Sequence, residues 1–129
     1  MSPTPGVLYF DGDCGMCTRA RDLLQRLNRT GKVRTEPLQS AGTADRVGAT
    51  PESLMESVWW LGDDGTVYSA AHAANAAVAA ALGTSLPLRV YRIPGVHQAQ
   101  EAAYRWVATH RQYFPGVTPH CQDAPADCR

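Results

Sequence analysis

The 129-residue chain has no excess of charge of either sign, since twelve Lys and Arg stand against twelve Asp and Glu. A general nucleic-acid binder needs a surplus of cations over phosphate, so no nucleic-acid partner is expected. Long apolar runs are also missing. The longest, Ala76 to Leu82, is seven residues and mostly alanine, against the roughly 20 that span a bilayer, so no membrane partner is expected either. The start, Met1-Ser2-Pro3-Thr4-Pro5-Gly6, lacks a cationic segment, and the apolar run behind it stops at Asp11. That excludes a signal peptide of ordinary pattern and makes a cytoplasmic chain the expectation. Structural disulfides are uncommon there, and the four cysteines therefore need another explanation.

What is present is globular composition, 44% hydrophobic and 19% charged. A chain this long buries about two-thirds of its extended surface, enough for a core without covalent staples. No internal repeat or dividing linker occurs, so residues 1–129 are expected to form a single domain, with about 1–5 and 116–129 as tails.

Val7-Leu8-Tyr9-Phe10, between Gly6 and Asp11-Gly12-Asp13, reads as a buried strand. From Cys14 to Arg29 the apolar residues Cys17, Ala20, Leu23, Leu24 and Leu27 recur at helical spacing. Asp13 is the expected N-cap and Gly31 the expected stop. Lys32 to Pro37 is a weakly signalled second strand, and Ala41 to Met55 reads as loops with a short helical piece. Val58-Trp59-Trp60-Leu61 and Thr66-Val67-Tyr68 flank Gly62-Asp63-Asp64-Gly65, a hairpin signal. Ala70 to Leu82 is an alanine-rich helix stopped by Gly83. Its alanines read first as good helix formers, with close packing on a sheet as the functional alternative. Leu86 to Ile93 is ambiguous, and Gln98 to Tyr113 is a final amphipathic helix. This order gives an α/β fold of thioredoxin-like topology: a small mixed sheet built as β-α-β then β-hairpin-α, with a C-terminal helical extension.

Cys14-Gly15-Met16-Cys17 falls between the first strand and the first helix, the context in which a bare C-x-x-C becomes a redox motif. Residues three apart at a helix start share one side at about 5–6 Å, within closing range of a disulfide. Unpaired N–H groups of the first turn favour a thiolate at Cys14, the expected attacking thiol. Cys17, on the face of Leu24, is the expected buried and resolving thiol. Such a pair carries two electrons without a cofactor, and none is expected. Asp13 is absorbed as a cap, and carboxylates beside a thiol oppose its ionisation. Asp11 is either a turn residue or a partly desolvated group that takes the proton of Cys17.

The stretch Leu8-Tyr9-Phe10-Asp11-Gly12-Asp13-Cys14-Gly15-Met16-Cys17 resembles the signature of the DCC family of predicted thiol-disulfide oxidoreductases, named for Asp-x-x-Cys-x-x-Cys. The resemblance extends through Glu36-Pro37-Leu38-Gln39-Ser40, Asp63 to Tyr68 and Tyr104-Arg105-Trp106-Val107-Ala108. It implies a thioredoxin-like fold and redox use of Cys14 and Cys17, and it raises Asp11 to a site residue. The implied partner is a disulfide or thiol substrate, either a protein or a low-molecular-weight thiol.

One departure from ordinary thioredoxins is the missing proline before the hairpin, where Met55-Glu56-Ser57 precede Val58. Near the C-terminus, His120, Cys121 and Cys128 follow Pro115-Gly116 and Pro119 in a loop-like segment. Cys121 and Cys128 could close a loop of about eight residues, exchange with the first pair, or be incidental thiols. The competing function is a non-catalytic zinc-stabilised interaction domain. Its ligands would be Cys14, Cys17, Cys121 and either Cys128 or His120. His110 is expected to pack on the last helix, and His72 and His97 have no evident partner. Trp59 and Trp60 should face opposite sides of their strand. Arg89, Arg92, Arg105 and Arg111 make a locally basic region that reads as a solvated face, with a binding surface for an acidic partner as the alternative.

Overall fold

The Val7–Phe10 run becomes the inner strand on which the fold is assembled. In a computed structural model, which describes residues 3–128 and only the backbone of Gln112, β1 (Gly6–Phe10) leads into α1 (Gly15–Leu27) and β2 (Val33–Pro37). Two short helices, α2 (Thr43–Val47) and α3 (Pro51–Leu54), precede the hairpin of β3 (Trp59–Gly62) and β4 (Val67–Ser69). The helices α4 (Ala70–Leu82), α5 (Leu86–Tyr91), α6 (Val96–Thr109) and α7 (His120–Asp123) follow. Two 3-10 turns, Arg111–Tyr113 and Pro125–Cys128, complete the C-terminal part.

The sheet runs β2-β1-β3-β4, with β1 parallel to β2 and antiparallel to β3. This is the mixed sheet of a thioredoxin-like fold. Register explains its two cores. Leu8 pairs with Trp60 and turns to the face covered by α1 and α4, where Leu24 and Val33 join them. Their neighbours Tyr9 and Trp59 pair on the opposite face, packing with Leu38, Val47 and Leu54 beneath α2 and α3. The period-two alternation thus separates the two tryptophans, as expected.

Several expectations need correction. The residue capping α1 is Cys14 rather than Asp13: Cys14 has extended backbone (φ −106°, ψ 122°), and its sulfur accepts the Cys17 N–H. Asp13 is exposed, and its N–H is instead donated to the Asp11 carboxylate in a local turn. The 41–55 region holds two short helices, one entered through Thr50 and Pro51. Leu86 to Tyr91 is helical, and the following helix starts at Val96 and yields to a 3-10 turn after Thr109. The alanines of α4 do more than favour a helix. Seven of them are buried, which lets α4 lie close to both the sheet and α1.

The expected tails fall partly on residues 1, 2 and 129, which lie outside the described residues. The described part of the C-terminal segment is not a free tail. It folds back over the start of α1, as set out below. No helix among the described residues is long and apolar enough to cross a membrane.

Candidate active site

The C-terminal end of β1 delivers Asp11, and a single turn then brings the chain into α1. Cys14 N donates to Asp11 O at 3.2 Å, and the Asp11 carboxylate accepts the Asp13 N–H at 3.0 Å. This turn places Cys14 at the helix N-terminus, where its Sγ accepts the Cys17 N–H at 3.3 Å. Both cysteines are free; Cys14 is half-buried and Cys17 is only 9% exposed. The contact between them is the Cys17 N–H donated to Cys14 Sγ, which holds the two residues on one side of the first turn.

Burial is the main cause that pushes the Cys17 thiol up to about 12, with the neighbouring Cys14 side chain adding to it and Arg111 pulling it down. The two thiols are therefore unequal by environment. One caps a helix at the surface, and the other is held protonated beneath it.

Asp11 is more than a turn residue. One carboxylate oxygen accepts from Gln39 Nε2 at 2.8 Å, and the other accepts from Arg111 Nη1 at 3.0 Å. Gln39 in turn accepts the Gly12 N–H at 3.0 Å through its side-chain oxygen. Burial works against the Arg111 charge, yet Cys17 and the Asp11 hydrogen bond outweigh it and move the guanidinium's pKa up. Tyr104 closes the other side. Its hydroxyl accepts the Val58 N–H at 2.9 Å, and burial pushes its pKa up. Val58 directly follows Met55-Glu56-Ser57, the stretch without a proline, and its main-chain N–H is taken by Tyr104 on α6. No peptide bond among the described residues is cis.

Behind Cys17 lies a cavity of about 220 Å³ between β1, α1, α4 and α6. Its wall is built from Leu8, Leu24, Ala77, Val78 and Val107, with Cys17 and Arg111 at one side. The small alanines of α4 leave this space open where α6 crosses above them.

A family model for DCC1-like thiol-disulfide oxidoreductases matches residues 8–117, from the middle of β1 to just past the last 3-10 turn before α7. The chain belongs to that family. No curated protein and no solved structure gives a significant match. Family membership carries the coarse activity, thiol-disulfide oxidoreduction, and the fold described above agrees with it.

The family match ends at Val117, so the second cysteine pair lies beyond it. Cys121 and Cys128 form a disulfide. The segment carrying them is bound to the motif along its length. Val117 N donates to Gly15 O at 3.2 Å, His120 N to Thr18 Oγ1 at 3.1 Å, and Cys121 N to Gly12 O at 2.9 Å. Glycine makes this approach possible on both sides. A Cβ on Gly15 would lie 2.5 Å from Val117 O, and one on Gly116 would lie 2.6 Å from the Gly15 carbonyl carbon. The His120 ring packs edge-on against Phe10, 5.5 Å between centroids. It also contacts Asp127 through Nε2 at 3.1 Å.

The zinc arrangement does not assemble. Cys121 and Cys128 are bonded to each other, and His120 is engaged by Phe10 and Asp127. Among the described residues no three His, Cys, Asp or Glu side chains gather as a metal-ligand group.

Of the site residues expected from the sequence, the structure brings Asp11, Cys14 and Cys17 together. Sequence reasoning missed Arg111, Gln39 and Tyr104. Gln39 and Tyr104 lay inside stretches that carried the resemblance, which was the one available signal for them. Arg111, one hundred residues from Asp11, has none, because its stretch of sequence reads as a basic solvated face.

Proposed function

We propose that this protein exchanges thiols and disulfides through Cys14 and Cys17, with Cys14 as nucleophile. The Cys14 thiolate attacks a substrate disulfide R–S–S–R′, forming Cys14–S–S–R and releasing R′–S⁻, which takes up a proton. Cys17 then loses its proton and attacks Cys14 Sγ. The Cys14–Cys17 bond forms, R–SH leaves, and two electrons have passed from the protein to the substrate. The reverse sequence oxidises a dithiol. One observation carries this reading: the half-buried Cys14 thiol caps a helix by accepting the N–H of Cys17, whose own thiol is free and buried three residues on.

Arg111 assists the second step, because its charge favours the thiolate of Cys17 against the burial that opposes it. Asp11 commits its two oxygens to Arg111, Gln39 and the Asp13 N–H. Its role is therefore positioning: it holds Arg111 beside Cys17. The expected cytoplasmic setting suits a reduced Cys14–Cys17 pair. The Cys121–Cys128 bond persists in that compartment only with a potential below that of the glutathione pool.

Trapping tests the order of attack. Cys17→Ala, reduced and mixed with glutathione disulfide, should accumulate glutathione on Cys14, read by peptide mass spectrometry. Cys14→Ser should accumulate none. Equal labelling of Cys17 in Cys14→Ser would reverse the roles.

A further inference from the structure

The cavity behind Cys17 serves no step of the exchange chemistry itself. We propose that it is a substrate subsite for the apolar tail of a low-molecular-weight disulfide that carries a hydrogen-bond acceptor near its sulfur. The inference rests on the exchange reading above and adds the substrate class to it.

Three observations converge. The cavity, about 220 Å³, has apolar walls from Leu8, Leu24, Ala77 and Val78, and Cys17 forms part of the same wall. A tail lying in it would run past Cys17, whose N–H donates to Cys14 Sγ at 3.3 Å, and would so present its sulfur to the nucleophile. The second is a polar group with nothing to bind. Arg111 Nε is buried without a hydrogen-bond partner, although Nη1 of the same guanidinium is taken by Asp11. A buried donor left unpaired is costly, and an acceptor oxygen on the ligand would relieve it. Because Asp11 already balances the Arg111 charge, that acceptor need not be an anion.

The third observation separates a small molecule from a polypeptide. An extended peptide substrate docks by main-chain hydrogen bonds to exposed backbone groups. Here the Val58 N–H is held by Tyr104, and the Gly15 carbonyl already accepts from Val117 N. Both lie beside the cysteine pair, and neither is free to bind a strand. What stays open is an apolar hole with one orphaned donor, the composition of a small-molecule site.

The reaction follows the balance already given. Cys14 attacks the disulfide, one thiol leaves, Cys17 displaces the second, and the substrate gains two electrons and two protons.

A chain-length series tests the proposal. Mixed disulfides of N-acetylcysteine with linear alkanethiols, from ethanethiol to octanethiol, place acceptor oxygens close to sulfur and extend the apolar tail by single methylenes. Pre-reduced protein is mixed with each in a single turnover, and protection of Cys14 from alkylation is followed by mass spectrometry. Rates are divided by those of dithiothreitol with the same disulfide to remove intrinsic reactivity. The normalised rate at subsaturating disulfide should rise by about fourfold per buried methylene and level off once the cavity is filled. Ala74→Phe, at the exposed rim, should flatten the series, and Ala108→Phe should do the same from α6. Arg111→Met should lower the rate for the acceptor-bearing series more than for dialkyl disulfides of matched length.

A flat series in the wild-type protein, with Cys14 still oxidised by every member, would overturn the subsite and leave the exchange function standing. Faster oxidation by insulin than by the longest alkyl disulfide would also overturn it, in favour of a polypeptide substrate. Failure of every disulfide to oxidise Cys14 would remove the exchange reading and the subsite with it.

Discussion

The two cysteine pairs of this chain follow opposite designs. Cys14 and Cys17 are three apart at the start of a thirteen-residue helix, both free, one capping the helix and one buried. Cys121 and Cys128 are seven apart in a segment of single helical turns and are bonded to each other. Surroundings make the difference. The first pair has a backbone N–H donor on one sulfur, a buried setting for the other, a cation close by and a cavity behind. The second has only the segment it closes and the surface it rests on. A redox site is thus defined by what makes its two sulfurs unequal, while a staple needs only that they meet.

Exchanging the perturbations between the pairs is the most direct way to break that contrast. Cys14→Ser should abolish disulfide exchange in a glutathione-coupled assay. The Cys121→Ser, Cys128→Ser double variant should retain it and lose stability instead. Closing a loop of about eight residues is worth about 2.5 kcal/mol on the chain-entropy model, to be read as a lower denaturant midpoint. Loss of exchange in the double variant would show that the second pair passes electrons too.

Inequality within the first pair is sharpened by removing the cation. Arg111→Met should slow the resolving step by about tenfold, the order of a single perturbed pKa unit, and the mixed disulfide on Cys14 should become visible in rapid-quench samples. The rate should then need higher pH to recover, and Arg111→Lys should restore part of it. Asp11→Ala should behave alike, and the double variant should be little worse than either single one if Asp11 works through Arg111.

How much of this was open to sequence reading depends on the range of the interaction. The cysteine pair, its helix and the parallel strand beside it follow from local signals: an apolar run, a turn, a 3.6-residue period. The hairpin and α4 were equally local, bounded by Gly62 to Gly65 and Gly83. Asp13 has the residue type expected of a cap, whereas a cysteine is rarely counted among capping residues, although the Cys14 sulfur accepts the same kind of N–H. The Asp11–Arg111 pair spans the whole fold, and only the packing of α6 against α4 and α5 brings it about. The cavity was illegible for a related reason. An alanine in α4 reads as a helix former, and whether it leaves a hole depends on what crosses above it.

Protonation offers a test specific to the first pair. Cys17 sits near 12 in the folded protein against an ordinary value of 9.0, so above pH 9 the unfolded chain loses a proton that the native state keeps. Its contribution is complete below pH 9 and is lost as pH rises from 9 toward 12. Reduced protein should therefore lose stability across that window more steeply than Cys17→Ala. Oxidation to the Cys14–Cys17 disulfide should remove the same component, since neither sulfur then titrates. Denaturant melts at pH 8, 9.5 and 10.5 would read the difference. Equal slopes for the three forms would mean that Cys17 is less buried than its place under α6 implies.

The smallest expected effect asks whether the two pairs act on each other. They touch through glycine: Gly15, inside the motif, leaves no room for a Cβ beneath Val117 O. Gly15→Ala must lift the segment that carries the second pair, or strain the helix start that carries the first. Overpacking of this kind costs about 1–3 kcal/mol, and a surface segment that can shift belongs at the low end. If the segment yields, its hydrogen bonds at Gly12, Gly15 and Thr18 weaken together, and the Cys121–Cys128 bond should become easier to reduce. In the Cys121→Ser, Cys128→Ser background the segment is already loosened, so Gly15→Ala should cost less there than in the wild type. That non-additivity would measure the coupling between a redox pair and the staple laid across it. Strict additivity would instead place the strain of Gly15→Ala in α1 and leave the two pairs independent.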